Sequence, residues 1–366
     1  MMNLKQTVLP AFVSLHFLCL TCFAFVDTRA IDDVRSKTVL NSSDLQVIDA
    51  FVKDAVNEIL TTRDFATISK TRSILLSRTD KQGQYAQQFA ESSYKYLGQA
   101  LQEADRFSGD RRFKVALNLL IVADALDNPD LVDLALPRLG SPMAPIAYWA
   151  ARIATSRKVI EQASKPDGGQ KVAPIVQALQ QQVQTASPEV LDLIVSFAAQ
   201  VPQGQDLLLA IADHRIAQYA GWTVKDEQID NSVLKALCTR FQATDADKAA
   251  CAQRFAQLYS YVIQRYAKGS DRLTEPQKQA LVSAIVDVEE KCLPALIGQA
   301  QTSLRRAIER QDLAGLMVEH DSLLGSSGTE GRLPSLLHFS YSMAADGSMH
   351  HWPETLRSPL EVPTEK

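Results

Sequence analysis

The stretch DADKAACAQRFAQLYSYVIQRYAK, residues 245–268, decides the fold class. Within it Phe255, Leu258, Tyr259, Val262, Ile263 and Tyr266 recur at alternating intervals of three and one. That spacing puts six large apolar side chains on one face of a helix, whereas a strand would alternate every second residue. Thr244 followed by Asp247 has the form of a capping box and predicts a helix start there. Tyr261 falls off the apolar stripe and is expected to be exposed.

The same periodicity extends outward over almost every segment from Ser43 to Leu324. Ile48, Phe51, Val52, Ala55, Val56, Ile59 and Leu60 predict a helix over 44–61. Further helices are expected over 64–78, from 84 towards 107, and over 111–126, 129–139, 143–155, 172–185, 188–201, 205–219, 227–241, 275–297 and 301–324. The 111–126 segment is apolar on nearly all sides and reads as a central helix. Lys165-Pro166-Asp167-Gly168-Gly169 reads as a linker, 165–170, between a helical repeat region at 41–164 and a second helical region at 171–324. Beyond it, 325–332 reads as a Gly-rich tether. Leu337-His338-Phe339-Ser340-Tyr341-Ser342-Met343 alternates apolar and polar, Asp346-Gly347 is a hairpin turn signal, and Met349 to Trp352 supply a returning strand. A β-hairpin is therefore expected over 333–352, followed by a disordered tail over 353–366.

There is an internal echo. Asn128-Pro129-Asp130-Leu131-Val132-Asp133-Leu134-Ala135-Leu136 aligns with Ser187-Pro188-Glu189-Val190-Leu191-Asp192-Leu193-Ile194-Val195 at an offset of 59, and Lys114-Val115-Ala116 recurs as Lys171-Val172-Ala173 at an offset of 57. Together with the Tyr148-Trp149-Ala150 helix that follows a short Pro-started one, these residues resemble HEAT-type repeat proteins over about 111–220. The resemblance implies an α-solenoid of stacked antiparallel helix pairs with an extended binding surface. The offsets here exceed the HEAT period of about 40–47 residues. The expected fold is all-α and solenoid-like, with a small C-terminal β-hairpin.

Composition narrows the function classes. The chain has 366 residues, 46% hydrophobic and 22% charged, which excludes wholesale disorder. Its 38 basic and 42 acidic residues give a net charge of -4, which argues against a dedicated nucleic-acid binder. Lys5 followed by an apolar stretch over 8–26 has the form of a signal peptide, with cleavage expected after Ala24 and Ala30 as the second choice. The alternative is an uncleaved membrane anchor. With residues 1–24 removed and 25–40 as a spacer, the mature protein is expected to be exported, periplasmic or extracellular. Cys238, Cys251 and Cys292 remain. Cys238 and Cys251 lie at nearly equal distances on either side of Thr244-Asp245, so a helical hairpin there predicts a disulfide between them, with two buried thiols as the alternative. Cys292 reads as buried.

Signatures of chemistry are few. The sequence has no G-x-G-x-x-G, no Walker-type loop, no G-x-S-x-G and no H-E-x-x-H, so no cofactor or metal is expected. His350-His351 point to opposite faces of a strand. His320, between Glu319 and Asp321, reads as a cation at a helix C-terminus, and His214 as a polar-face residue. Glu289-Glu290, Asp245 and Asp247, Arg111-Arg112 and Arg305-Arg306 read as solvated helix faces. Trp149, Trp222, Trp352, Tyr259, Tyr261 and Tyr266 read first as core and second as groove lining. The expected function is an exported, non-enzymatic binding or scaffolding protein with a protein or polymer partner. The runner-up is an α-helical lyase or hydrolase acting on an extracellular polymer. A membrane-anchored structural domain follows only if the leader is retained.

Overall fold

In the computed structural model, residues 26–79, 83–165, 168–343 and 349–357 are described. The leader at 1–24 lies outside the described residues, as does most of the tail. The chain runs through α1 (Arg29–Arg35), α2 (Ser42–Thr61), α3 (Phe65–Leu76), α4 (Gly83–Ala104), α5 (Gly109–Leu126), α6 (Val132–Ala135), α7 (Ala144–Ala154), α8 (Arg157–Ala163) and α9 (Gly168–Gln180). It continues with α10 (Pro188–Gln200), α11 (Gln205–Ala220), α12 (Gln228–Gln242), α13 (Lys248–Gly269), α14 (Glu275–Lys291), α15 (Leu293–Ile297), α16 (Ser303–Glu309) and α17 (Leu313–Leu324). The short strands β1 (Gly325–Ser326) and β2 (Thr329–Glu330), α18 (Arg332–Leu337), β3 (Ser342–Met343) and β4 (Met349–His350) complete the order.

Local chemistry sets the helix starts. Asn41 and Asp44 form a reciprocal capping box on α2, and Thr274 with Gln277 does the same on α14. On α13 the cap is Asp247 itself, whose Oδ1 accepts from the Ala250 N–H at 3.0 Å, three residues beyond the expected Thr244 start. Most of the main contacts join neighbours and next neighbours along the chain, among them α2 with α3 and α4, α3 with α5, α5 with α7, α10 with α12, α11 with α13, and α12 with α13 and α14, while α7 with α10 and α13 with α17 reach further. The architecture is thus all-α with a small C-terminal hairpin, Ser342 pairing with His350 and Met343 with Met349.

The two halves of the echo fold differently. Pro129–Leu131 and Leu136–Arg138 are single 3₁₀ turns around the four-residue α6, whereas 188–200 is one continuous helix. Pro137 directly follows the first copy and stops a helix from continuing there; the second has no proline after Pro188 until residue 202. The expected spacer carries α1, which buries Ile31 and Val34. The last two expected helices are each divided, α14 from α15 at Cys292-Leu293-Pro294 and α16 from α17 at Gln311, where φ is 55°.

The Gly-rich segments expected as a linker and a tether are close-packed where they are described. A Cβ at Gly168 would lie 2.0 Å from the Gln162 carbonyl oxygen, and α9 starts at that residue and packs on α8. Residues 166 and 167 lie outside the described residues. In the expected tether, β1 pairs with β2, and a Cβ at Gly331 would meet the Leu324 carbonyl carbon at 2.2 Å. Glycine is required there for the approach of two backbones. The expected strand start at Leu337 is the end of α18.

Candidate functional site

Helix α13 is the hub of the C-terminal half, in contact with α11, α12, α14, α17 and α18. Its apolar stripe is buried as expected from Phe255 to Ile263, with Tyr266 half-buried at its end. A second stripe, Gln257, Ser260, Tyr261, Gln264 and Lys268, runs along the same helix, and all but Lys268 are buried. Buried polar groups need partners, and here the partner is the chain's own segment 353–357. Gln257 Oε1 accepts the Glu354 N–H at 3.0 Å, and Gln264 Nε2 donates to the Glu354 carbonyl at 3.1 Å. Gln264 Oε1 also accepts the Leu356 N–H at 2.7 Å, and Lys268 Nζ donates to the Leu356 carbonyl at 2.6 Å. Trp222 Nε1 donates to the Arg357 carbonyl at 2.8 Å.

Residues 354 and 356 thus present N–H and C=O together on one edge, the pattern that a neighbouring β-strand would read. The clamp spans about 16 Å of helix from Gln257 to Lys268. The segment runs parallel to it over about 13 Å, a difference within the reach of these long side chains. Tyr261 is covered rather than exposed, its hydroxyl donating to Glu354 Oε2 at 3.0 Å, and Leu356 is fully buried. These residues of the expected disordered tail are therefore an ordered strap.

A buried ionic floor supports the clamp. Arg215 donates to both carboxylate oxygens of Asp230 at 2.7 and 3.0 Å, and the Tyr219 hydroxyl donates to the same carboxylate at 2.6 Å. Burial raises the Asp230 carboxyl above its ordinary value even though Arg215 opposes the shift. Arg265 pairs with Glu227 at 2.7 Å and lies 5.3 Å from the centre of the Trp222 ring. Trp222 has φ 56°, a conformation that is strained for a bulky residue, and its ring packs where a Gly269 side chain would otherwise stand. The floor thus holds a strained tryptophan with its indole N–H aimed at the strap.

Beneath the strap, Ser260 Oγ lies 2.8 Å from His320 Nε2, and His320 Nδ1 lies 2.7 Å from Asp321 Oδ1. His320 is buried, and burial lowers its pKa against the pull of Asp321, which disfavours the expected helix-end cation. Gln264 Nε2 also donates to Ser260 Oγ at 2.8 Å.

The other expected residues lie elsewhere. Cys238, Cys251 and Cys292 are free and buried, so the expected Cys238–Cys251 bridge is not made. The α12–α13 hairpin does form, but equal depth leaves the azimuth open, because each residue turns the helix by about 100°. Cys238 faces Cys292 instead, its Sγ 3.9 Å from the Cys292 carbonyl. The hydrogen bond between these two thiols lowers Cys238 and raises Cys292, while burial pushes Cys251 up to about 11. Glu289 is fully buried rather than solvated; its carboxylate accepts from the Leu304 and Arg305 N–H groups, each at 2.8 Å. Glu290 does pair at the surface with Arg305, and Asp245 with Arg240. His214 meets Gln218, His350 stacks on Trp352, and His351 faces Glu330. Among the described residues, no three His, Cys, Asp or Glu side chains gather to hold a metal.

Two larger surface depressions flank α4. One of about 690 Å³ includes Phe89, Leu126, Arg157 and Lys158 in its lining, and one of about 590 Å³ includes Glu91, Tyr94, Asp130 and Asp133. Neither contains a histidine or cysteine. No helix among the described residues is long and apolar enough to cross a membrane. No protein-family model matches the chain, and no curated protein matches it either.

Proposed function

We propose that this is an exported binding protein that holds a partner polypeptide in an extended conformation along α13 and does no chemistry on it. The carrying observation is Gln264, whose carboxamide takes a main-chain carbonyl and a main-chain N–H of one segment at 3.1 and 2.7 Å. Main-chain reading tolerates many sequences, because the groups read are common to nearly all residues. Export rests on the leader pattern at 1–24. The test uses an unfolded, S-carboxymethylated polypeptide as probe. The full chain should bind it and leave the folded form of the same polypeptide alone, and Gln264→Ala should weaken binding several-fold. Binding that is unchanged in Gln264→Ala would remove the clamp as the site.

One observation favours a second reading, a hydrolase: the Ser260, His320 and Asp321 side chains have the connectivity of a nucleophile, base and orienting carboxylate. Against it, Ser260 is fully buried in the middle of α13, where the main-chain N–H groups are committed to the helix and leave no backbone pair for an oxyanion. A fluorophosphonate probe should leave Ser260 unmodified in the native chain. Labelling at Ser260 that disappears in His320→Ala would establish the hydrolase instead.

A further inference from the structure

The strap completes the clamp at every point but one. Gln264 is satisfied at both ends of its carboxamide, whereas Gln257 uses only Oε1, and among the described residues its buried Nε2 has no acceptor. Gln257 is 9% exposed, so water does not make up the difference freely. A buried amide left unpaired costs more than a hydrogen bond gains, which marks the resident segment as an imperfect occupant.

The cause is in the strap's own sequence. In a regular extended chain, the residue two before Glu354 presents its carbonyl on the same edge, beside the Gln257 carboxamide that already holds the Glu354 N–H. The intervening residue is Pro353, whose ring fixes φ near -65° instead of the more extended value of a strand and also restricts Trp352 before it. Such a bend keeps the Trp352 carbonyl from the place a regular strand would give it, in keeping with the missing acceptor at Gln257 Nε2. Pro353 is buried against the body, so the turn is held in place.

On the reading that α13 binds extended polypeptide, we infer that residues 353–357 are a resident pseudo-ligand that gates this site, displaced by a partner segment of similar chemistry. That chemistry is a carboxylate facing Tyr261, an aliphatic side chain in the place of Leu356 two residues later, and a residue other than proline before the carboxylate. Such a segment satisfies both glutamines and outcompetes the strap. The strap in turn excludes weaker sequences, because it is tethered to the same chain and acts at high effective concentration.

The experiment measures binding of two fluorescent peptides, HWPETLR (residues 351–357) and its Pro353→Ala form, to the full wild-type chain and to a full chain carrying Leu356→Asp. The substitution places a charge in the Leu356 pocket and releases the strap. The released chain should bind HWPETLR at least tenfold more tightly than wild type, and the Pro353→Ala peptide about tenfold more tightly than HWPETLR. Equal binding by wild-type and released chains would show that the strap is no gate, while leaving the clamp as a peptide site. Equal affinity for the two peptides would overturn the role given to Gln257 Nε2. If neither chain binds either peptide with helix content intact by circular dichroism, the clamp takes nothing in trans, and the binding reading falls as well. Should Leu356→Asp disturb the fold, Glu354→Pro releases the strap by a different route. It removes the N–H read by Gln257 and the carboxylate held by Tyr261.

Discussion

Asp230 is the residue on which the floor of the clamp depends most. It is fully buried, and its carboxylate serves Arg215 twice and Tyr219 once. Asp230→Asn leaves the Arg215 guanidinium buried without its counter-ion, and such a loss costs about 3–5 kcal/mol. Urea unfolding should show that loss, and a change below about 1 kcal/mol would mean that the guanidinium finds another partner. His320 gives a prediction in pH. Burial lowers its pKa below the ordinary 6.5, so the unfolded chain takes up its proton first as pH falls. Stability is complete above 6.5 and declines as pH drops towards the folded value. The groups facing His320 are Ser260, Asp321 and Lys268. The melting temperature should therefore fall as pH drops below about 6.5, and His320→Gln should flatten that part of the profile; an unchanged slope would place the titration elsewhere. At this scale little of the site could be read from sequence. The stripe Gln257, Gln264 and Lys268 has visible helical spacing, but spacing identifies a face and says nothing of what covers it. The covering residues stand some 90 positions away. Tyr261 looks exposed in the sequence for that reason, as a polar residue at the edge of an apolar stripe does until Glu354 is placed over it, and His320 looks like a free helix-end cation until Ser260 of α13 meets it.

Between elements, the instructive contact is Glu289 of α14, whose carboxylate accepts both N–H groups at the start of α16. A negative charge at a helix N-terminus satisfies orphan donors and complements the helix dipole. Glu289→Ala removes both acceptors in a buried setting, a loss of about 2–3 kcal/mol, and Glu289→Gln retains one and should lose about half as much. Chemical denaturation of the two variants distinguishes them, and equal losses would mean that only the charge matters. Helices such as α2 and α13 were legible because each needs only its own 3.6-residue pattern and a cap. Connections were not. Gly168 and Gly331 look like flexible spacers in a sequence, yet both sit where another backbone leaves no room for a Cβ. A glycine serves freedom and close approach equally well, and only the neighbouring chain shows which. The hairpin was legible in outline from the alternation before Met343, although its described strands are two residues long where seven alternating residues suggested more, and the expected turn at Asp346-Gly347 lies outside the described residues.

Over the whole molecule, helix contacts are mostly local along the chain: the α2 to α5 set joins the α10 to α14 set through α7. With contacts distributed in this way along a chain of this length, unfolding need not be all-or-none. The C-terminal half differs because α13 touches five other helices and also holds the strap, so opening it requires several interfaces to part together. Hydrogen exchange read by mass spectrometry should therefore find peptides from α13 among the most protected and those from α2 to α4 opening independently of them. The Asp230→Asn variant sharpens the test. Its loss should raise exchange in α11, α12 and α13, whose contacts surround the broken pair, and leave α2, α3 and α4 unchanged. If protection instead falls by the same factor in all six helices, the molecule unfolds as one cooperative unit, and the local contacts do not set its energetics.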